Sequence, residues 1–167
     1  MVNGARLQSP AVAGALLHRT LTVAAPVNES GVPPLTREQV WDGLQRLARA
    51  DPMLIPPEAH AEVVDDTGRE FVRVLELPGA PAMRERVTLV SDKLVVYERI
   101  EGGVGLVMTG IETALDGRYV VRFTLTPAAG DDQRRVTATA VAADRERIAA
   151  GPSRLLEVLR TSVAEQA

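Results

Sequence analysis

Between residues 59 and 126 the chain alternates polar and apolar with a period of two, in short runs separated by very short joins. The runs are 59–65, 69–77, 83–90, 93–100, 104–113 and 118–126, and the joins read "DDTG", "PGAPA", "SD", "EGG" and "LDG". Alternation marks strands with one buried face, and Gly, Pro, Asp and Ser are the residues tight turns require. A parallel pair needs a crossover of about a dozen residues or more, which none of these joins supplies. An antiparallel meander is therefore predicted. Such a sheet has a face to cover, and the covering elements must come from the flanking sequence.

Upstream, "RTLTVAAPVN" sets Leu21 and Val23 against Thr20 and Thr22 and predicts a first strand, free to join one edge. Then "LTREQVWDGLQRLA" starts sharply. Thr36 and Gln39 form a capping box, Leu35 can staple onto Val40, and Val40, Trp41, Leu44, Leu47 and Ala48 share one helical face. Asp51-Pro52 predicts a second short helix, ended by Pro56-Pro57. Downstream, Ile148, Leu155, Leu156, Leu159 and Val163 form a helical stripe that Gly151-Pro152 should kink or restart. The segment "RRVTATAVAA" admits helix or strand and is assigned to helix. The expectation is an α+β fold: a curved antiparallel sheet of about seven strands, two short helices after strand 1 plugging one end, and a long C-terminal helix across the concave face. Residues 1–17 are expected to be an extension and 18–167 a single domain. A gap between helix and curved sheet is where a small molecule binds.

Several function classes are disfavoured. The net charge is -3, and the clusters Arg84/Arg86 and Arg134/Arg135 have acidic neighbours, which argues against a nucleic-acid surface. With no Cys, disulfides, thiolate metal sites and Cys nucleophiles are excluded. No apolar run approaches the roughly 20 residues of a membrane span. The apolar stretch near the start is broken by Gly14 and lacks a clean cleavage site before Pro26, so a cytoplasmic protein is expected. His18 and His60 have no ligand spacing for zinc, "GGVGLVMTG" lacks the spacing and Lys of a phosphate loop, and no G-x-S-x-G elbow occurs. No cofactor or metal is expected. The expected partner is a small hydrophobic molecule, bound by a monomer or homodimer.

Strand alternation nominates the inward side chains. In "EFVRVLEL", Phe71, Arg73, Leu75 and Leu77 share the inner face; in "MRERVTLV", Met83, Glu85, Val87 and Leu89 do. Arg73 and Glu85 are thus charges among large apolar residues. A hairpin centred near residue 80 places Arg73 opposite Val87 and makes the Arg73–Glu85 pair diagonal. Functionally, Arg73 is an anion or carbonyl anchor and Glu85 a general acid/base or the group that orients Arg73. The alternative is an ion pair that satisfies itself and touches no ligand. In "KLVVYERI" either Leu94, Val96, Glu98 and Ile100 or Val95, Tyr97 and Arg99 face inward. Tyr97 offers a phenol to a ligand, or is a plain sheet residue; the same choice holds for the Thr109 hydroxyl. Phe123 is expected in the cavity wall with Val121 and Leu125, and Arg122 outside. Trp41 packs in the core or borders the cavity mouth.

The order strand, two helices, six strands and a long helix resembles the helix-grip fold of the START-like, or SRPBCC, superfamily. Local words sharpen the likeness: "VN" before "PPLTREQVWDGL", then "RVLELPG", "RERVTLVSDKLVVYE" and "IETALDGRYVVRFTLT". These resemble the AtaL-like branch, with its "LTREQLWEGL"-type helix and its "ERVTL"-, "N-x-I-E"- and "LRFTYE"-type strands in this order. The likeness is close over residues 20–126 and looser in the last helix. Two departures touch the site: Thr109 in "VMTGIE" stands where the branch has Asn, and the last helix carries Gly151-Pro152. The resemblance implies a Bet v 1-like, ligand-holding cavity related to those of polyketide cyclases and dehydratases. Three functions fit it: a tailoring enzyme, a carrier without turnover, and an interaction module whose interior is filled by side chains. Low aromatic content (3%) suits a flexible aliphatic ligand better than a flat stacking one.

Overall fold

The computed structural model describes residues 20–101, 105–127 and 138–165. The extension expected at 1–17, the turn glycines 102 and 103 and residues 134–137 lie outside them. Strand β1 (Leu21–Pro26) precedes helix α1 (Arg37–Ala48). Six strands follow: β2 (His60–Asp66), β3 (Glu70–Glu76), β4 (Met83–Val90), β5 (Leu94–Glu101), β6 (Gly105–Thr113) and β7 (Tyr119–Pro127). Helix α2 (Ala138–Ala164) comes last. The strands make one seven-stranded sheet in the order β1-β7-β6-β5-β4-β3-β2. Every pairing is antiparallel, as the short joins dictate, and β1 lies beside β7 with Leu21 opposite Leu125. Register shifts between Val63 and Asp65 and between Arg84 and Glu85 add the local twist and bend that bulges bring.

Helix α1 begins as its sequence prescribes. Thr36 Oγ1 accepts from the Gln39 N–H at 3.2 Å, and Gln39 Oε1 accepts from the Thr36 N–H at 2.8 Å. The second helix expected after it does not form. The N–H groups of Leu54 and Ile55 both reach back to the Asp51 carbonyl, at 2.9 and 3.2 Å, and the segment stops at a turn. Pro52 and Pro56 leave room between them for no more than that. Leu54 and Ile55 are nonetheless buried, so the segment still closes one end of the sheet.

The hairpin between β3 and β4 is centred one residue earlier than expected, at Gly79, whose φ of 73° only glycine adopts without strain. Arg73 therefore stands directly opposite Glu85, not diagonal to it, and Phe71 stands opposite Val87. The choice left open for β5 is resolved: Val95 and Tyr97 are buried and Glu98 is exposed. Arg122 faces outward and pairs with Glu112 at 2.9 Å.

Helix α2 is 27 residues long and runs through Gly151-Pro152 without a restart. Ile148, Leu155, Leu156 and Leu159 are buried on both sides of that dipeptide, and this apolar face holds the helix against the sheet where one backbone hydrogen bond is missing. Gly151 is there for closeness: a Cβ on it would lie 2.4 Å from Cε2 of Phe123 on β7. Gly43 on α1 serves the same purpose, with Leu159 Cδ1 2.6 Å from where its Cβ would be. Among the described residues no helix is long and apolar enough to cross a membrane.

Candidate functional site

A cavity of about 510 Å³ lies between α2 and the inner face of the sheet, lined from both. Leu75, Val107, Phe123, Ile148 and Leu155 supply apolar wall, and Leu54, Ile55 and Pro56 close one side. The exposed residues Glu58, Pro78 and Glu146 border its mouth. Its volume falls in the range of small-molecule sites, roughly 300–1,000 Å³.

Five charged side chains form a chain beside the cavity, and three of them, Arg73, Glu85 and Arg147, line it. Arg73 Nε donates to Glu85 Oε2 at 2.8 Å, and Nη2 lies 2.8 Å from the same oxygen. The Nη1 of Arg73 donates to the Leu47 and Ala48 carbonyls at 3.0 and 3.1 Å, so a β3 cation satisfies the negative end of α1. The other Glu85 oxygen is 3.5 Å from Arg99 Nε. Arg99 grips Asp144 of α2 with both terminal nitrogens, Nη2 at 2.7 Å from Oδ1. Arg147, one turn further along α2, donates to the same Oδ1 at 2.8 Å. The Arg73 guanidinium also lies 4.6 Å from the ring centroid of Tyr97, within cation–π range.

These contacts set the ionisation. Burial pushes the Glu85 carboxyl up, but Arg73, Arg99 and Arg147 outweigh it and hold the group below its ordinary value. Burial acts on Asp144 in the same way, and Arg99 and Arg147 again outweigh it. Both are carboxylates at neutral pH. The Tyr97 phenol goes the other way: burial raises it more than Arg73 lowers it, so it remains a hydrogen-bond donor. The Thr109 hydroxyl, two residues along β6 from the partner of Tyr97, neighbours the phenol and lowers it against the effect of burial. Among the described residues neither hydroxyl has any other partner, and Arg147 Nε has none.

Of the residues expected at the site, Arg73, Glu85, Leu75, Tyr97, Thr109 and Phe123 line the cavity. Phe71, Val87 and Trp41 do not. Phe71 and Val87 are opposite one another on the inner face and fully packed in the core, with Arg49 stacked 4.5 Å from the Phe71 ring centroid. Trp41 packs against the core from α1, partly exposed. Arg99, Asp144 and Arg147 escaped the sequence reading. Arg99 belongs to one of the two faces left open for β5. Asp144 precedes Ile148 by four residues and so sits on the same helical stripe, a signal that was present and unused.

A curved antiparallel sheet gripped by a long helix over an internal cavity defines a helix-grip protein of the SRPBCC, Bet v 1-like class. The family model of AtaL, acetylaranotin biosynthesis cluster protein L, matches residues 21–165, and the chain belongs to that family. Among solved structures it is similar to the KanY protein, at 14% identity over 88% of this chain and 98% of that one, with a TM-score of 0.58. It is also similar to TTHA0849 from Thermus thermophilus, at 15% identity over 89% and 98% of the two chains and a TM-score of 0.54. A third likeness is to StfQ, a di-domain ARO/CYC from the steffimycin biosynthetic pathway, at 14% identity over 88% of this chain and a TM-score of 0.54; the match spans 51% of StfQ. No curated protein matches the sequence.

Proposed function

We propose that the protein binds a small, largely apolar natural-product intermediate, polyketide-like or related, in the cavity beneath α2. There it acts in the cytoplasm, as a monomer or homodimer, as a cofactor-independent tailoring enzyme of the cyclase or dehydratase type. The observation that carries this reading is the cavity itself: apolar walls with two buried hydroxyls, Tyr97 and Thr109, that have no partner beyond one another among the described residues. A few polar groups set in a largely apolar pocket are what orients a bound small molecule. Membership of a biosynthesis-cluster family supports the substrate class, as does the likeness to an aromatase/cyclase-type fold.

In this reading Leu75 and Phe123 shape the chain of the substrate, Tyr97 and Thr109 hold a carbonyl oxygen, and Arg73 stabilises charge that develops there. Catalysis of this kind rests on positioning and a few polar groups in a water-poor site. Glu85, ionised and engaged by Arg73 and Arg99, orients Arg73. The same engagement favours a second reading, a carrier without turnover, because it leaves Glu85 no free proton to give and a weak tendency to take one. A module with a filled interior has no support from a chain with an open cavity.

Native mass spectrometry of protein purified from its own host tests the first claim, with a co-purifying apolar molecule as the expected result. Bare protein from cells making the intermediates overturns it. Arg73→Ala and Glu85→Gln then separate the two readings. Retained affinity with lost conversion supports the enzyme; lost affinity in a protein that converts nothing supports the carrier.

A further inference from the structure

Among the described residues, the charges beside the cavity do not balance. The carboxylates that Arg73, Arg99 and Arg147 meet there are Glu85 and Asp144, and Arg73 also donates to the carbonyl end of α1. Arg73, Glu85 and Asp144 are each less than 10% exposed, and the Arg99 side chain is 5% exposed. The member that closes the chain is Arg147, whose side chain is 23% exposed and which borders the cavity. One of its terminal nitrogens serves Asp144, already bidentate with Arg99, and its Nε is buried with no partner. The other charged residues of the lining do not correct the excess. Glu58 and Glu146 stand at the exposed mouth, and Arg154 adds a further cation, donating to the Ile55 carbonyl at 3.0 Å.

The unsatisfied polar atoms have one character. Arg147 Nε–H can only donate, and Tyr97, kept protonated by burial, is also ready to donate. Thr109 can do either. A site rich in donors and poor in acceptors, carrying one surplus positive charge, is complementary to an oxyanion.

We propose that the ligand of this cavity carries a carboxylate, held by the Arg147 guanidinium on the side of the cavity lined by Tyr97 and Thr109, while its apolar body lies along Leu75 and Phe123. This rests on the ligand-binding reading above and specifies the ligand's polar end. Arg147 is then the residue that selects the acid over its neutral counterpart.

Isothermal titration with decanoate and with methyl decanoate, matched in chain and differing in charge, tests it. A hydrogen-bonded ion pair of this kind is expected to favour decanoate by about tenfold or more. In Arg147→Gln, which leaves Asp144 with Arg99, the preference for the acid over the ester should vanish. Arg147→Lys should retain the preference, and Tyr97→Phe should weaken decanoate more than the ester. Equal binding of acid and ester by the wild type, or an unchanged preference in Arg147→Gln, overturns the proposal and leaves the ligand-binding reading intact. Binding of neither overturns the proposal at its premise, and the search for a co-purified molecule then decides the ligand-binding reading separately.

Discussion

Asp144→Asn is the most searching perturbation of the buried charges. Asp144 accepts from both terminal nitrogens of Arg99 and from Arg147. Arg99, its side chain 5% exposed, then faces only Glu85 at 3.5 Å, and the opposite oxygen of Glu85 is committed to Arg73. Removing one partner of a buried pair costs about 3–5 kcal/mol because the other charge remains out of water. Asn keeps one acceptor, so the low end, about 3 kcal/mol, is expected, or a fall of about 6–12 °C in Tm for a domain of this size. Urea unfolding at pH 7, followed by far-UV circular dichroism, reads the change. Arg122→Ala provides the control: its pair with Glu112 is 2.9 Å long but nearly half exposed on both sides, and its loss should change stability by no more than about 1 kcal/mol. The double replacement Arg99→Met with Asp144→Leu should be less damaging than Asp144→Asn alone, since it removes both members of the buried pair and leaves only the partly exposed Arg147 without its carboxylate. If Asp144→Asn is as mild as Arg122→Ala, the network does not hold α2 to the sheet and the reasoning fails.

Acid should undo the same network. Glu85 and Asp144 both titrate below their ordinary values in the folded protein, so their stabilisation is present above the unfolded carboxylate range, about pH 4, and is lost as pH falls through the lower folded values. Urea midpoints should drop steeply below about pH 4 and less steeply in Glu85→Gln; identical midpoints at pH 6 and pH 3 would contradict this. Gly151→Ala adds a methyl 2.4 Å from the Phe123 ring, and despite the gain in helix propensity of about 1 kcal/mol the crowding should leave the protein about 1–2 kcal/mol less stable. A stabilised variant would mean that α2 does not approach β7 so closely.

The sheet was legible because period-two alternation and short joins admit one solution: Arg73, Glu85, Phe123 and Thr109 could all be placed on the inner face from parity alone. Register was harder. A shift of one residue in the turn centre moves Arg73 from a diagonal to a direct partner of Glu85 without changing any side chain's face, so the alternation carries no information about it. The depth of the cavity was illegible for a different reason. Phe71 and Val87 have the same parity as Leu75, and only the position of Arg49 and the core packed around them removes those two from the cavity. The second helix failed because a cap signal says where a helix starts and not whether the next prolines leave it room. Asp144 was missed because an acid on an apolar helical stripe acquires meaning only once Arg99 is known to point at it.

The network also explains why α1 stands where it does. Arg73 reaches across from β3 to the carbonyls of Leu47 and Ala48, so the end of α1 fixes the guanidinium that Glu85 orients. Asp144 ties α2 to the same chain of charges through Arg99. Two helices and three strands are thus referenced to one another through side chains that are expensive to bury, where apolar residues of similar volume would serve stability as well or better. A packing role alone would be met by a neutral cluster. Among the described residues the cluster ends in Arg147, a cation that borders the cavity, so an acceptor entering there gains a charged partner. The arrangement therefore argues for an occupant, and for one whose polar end is negative.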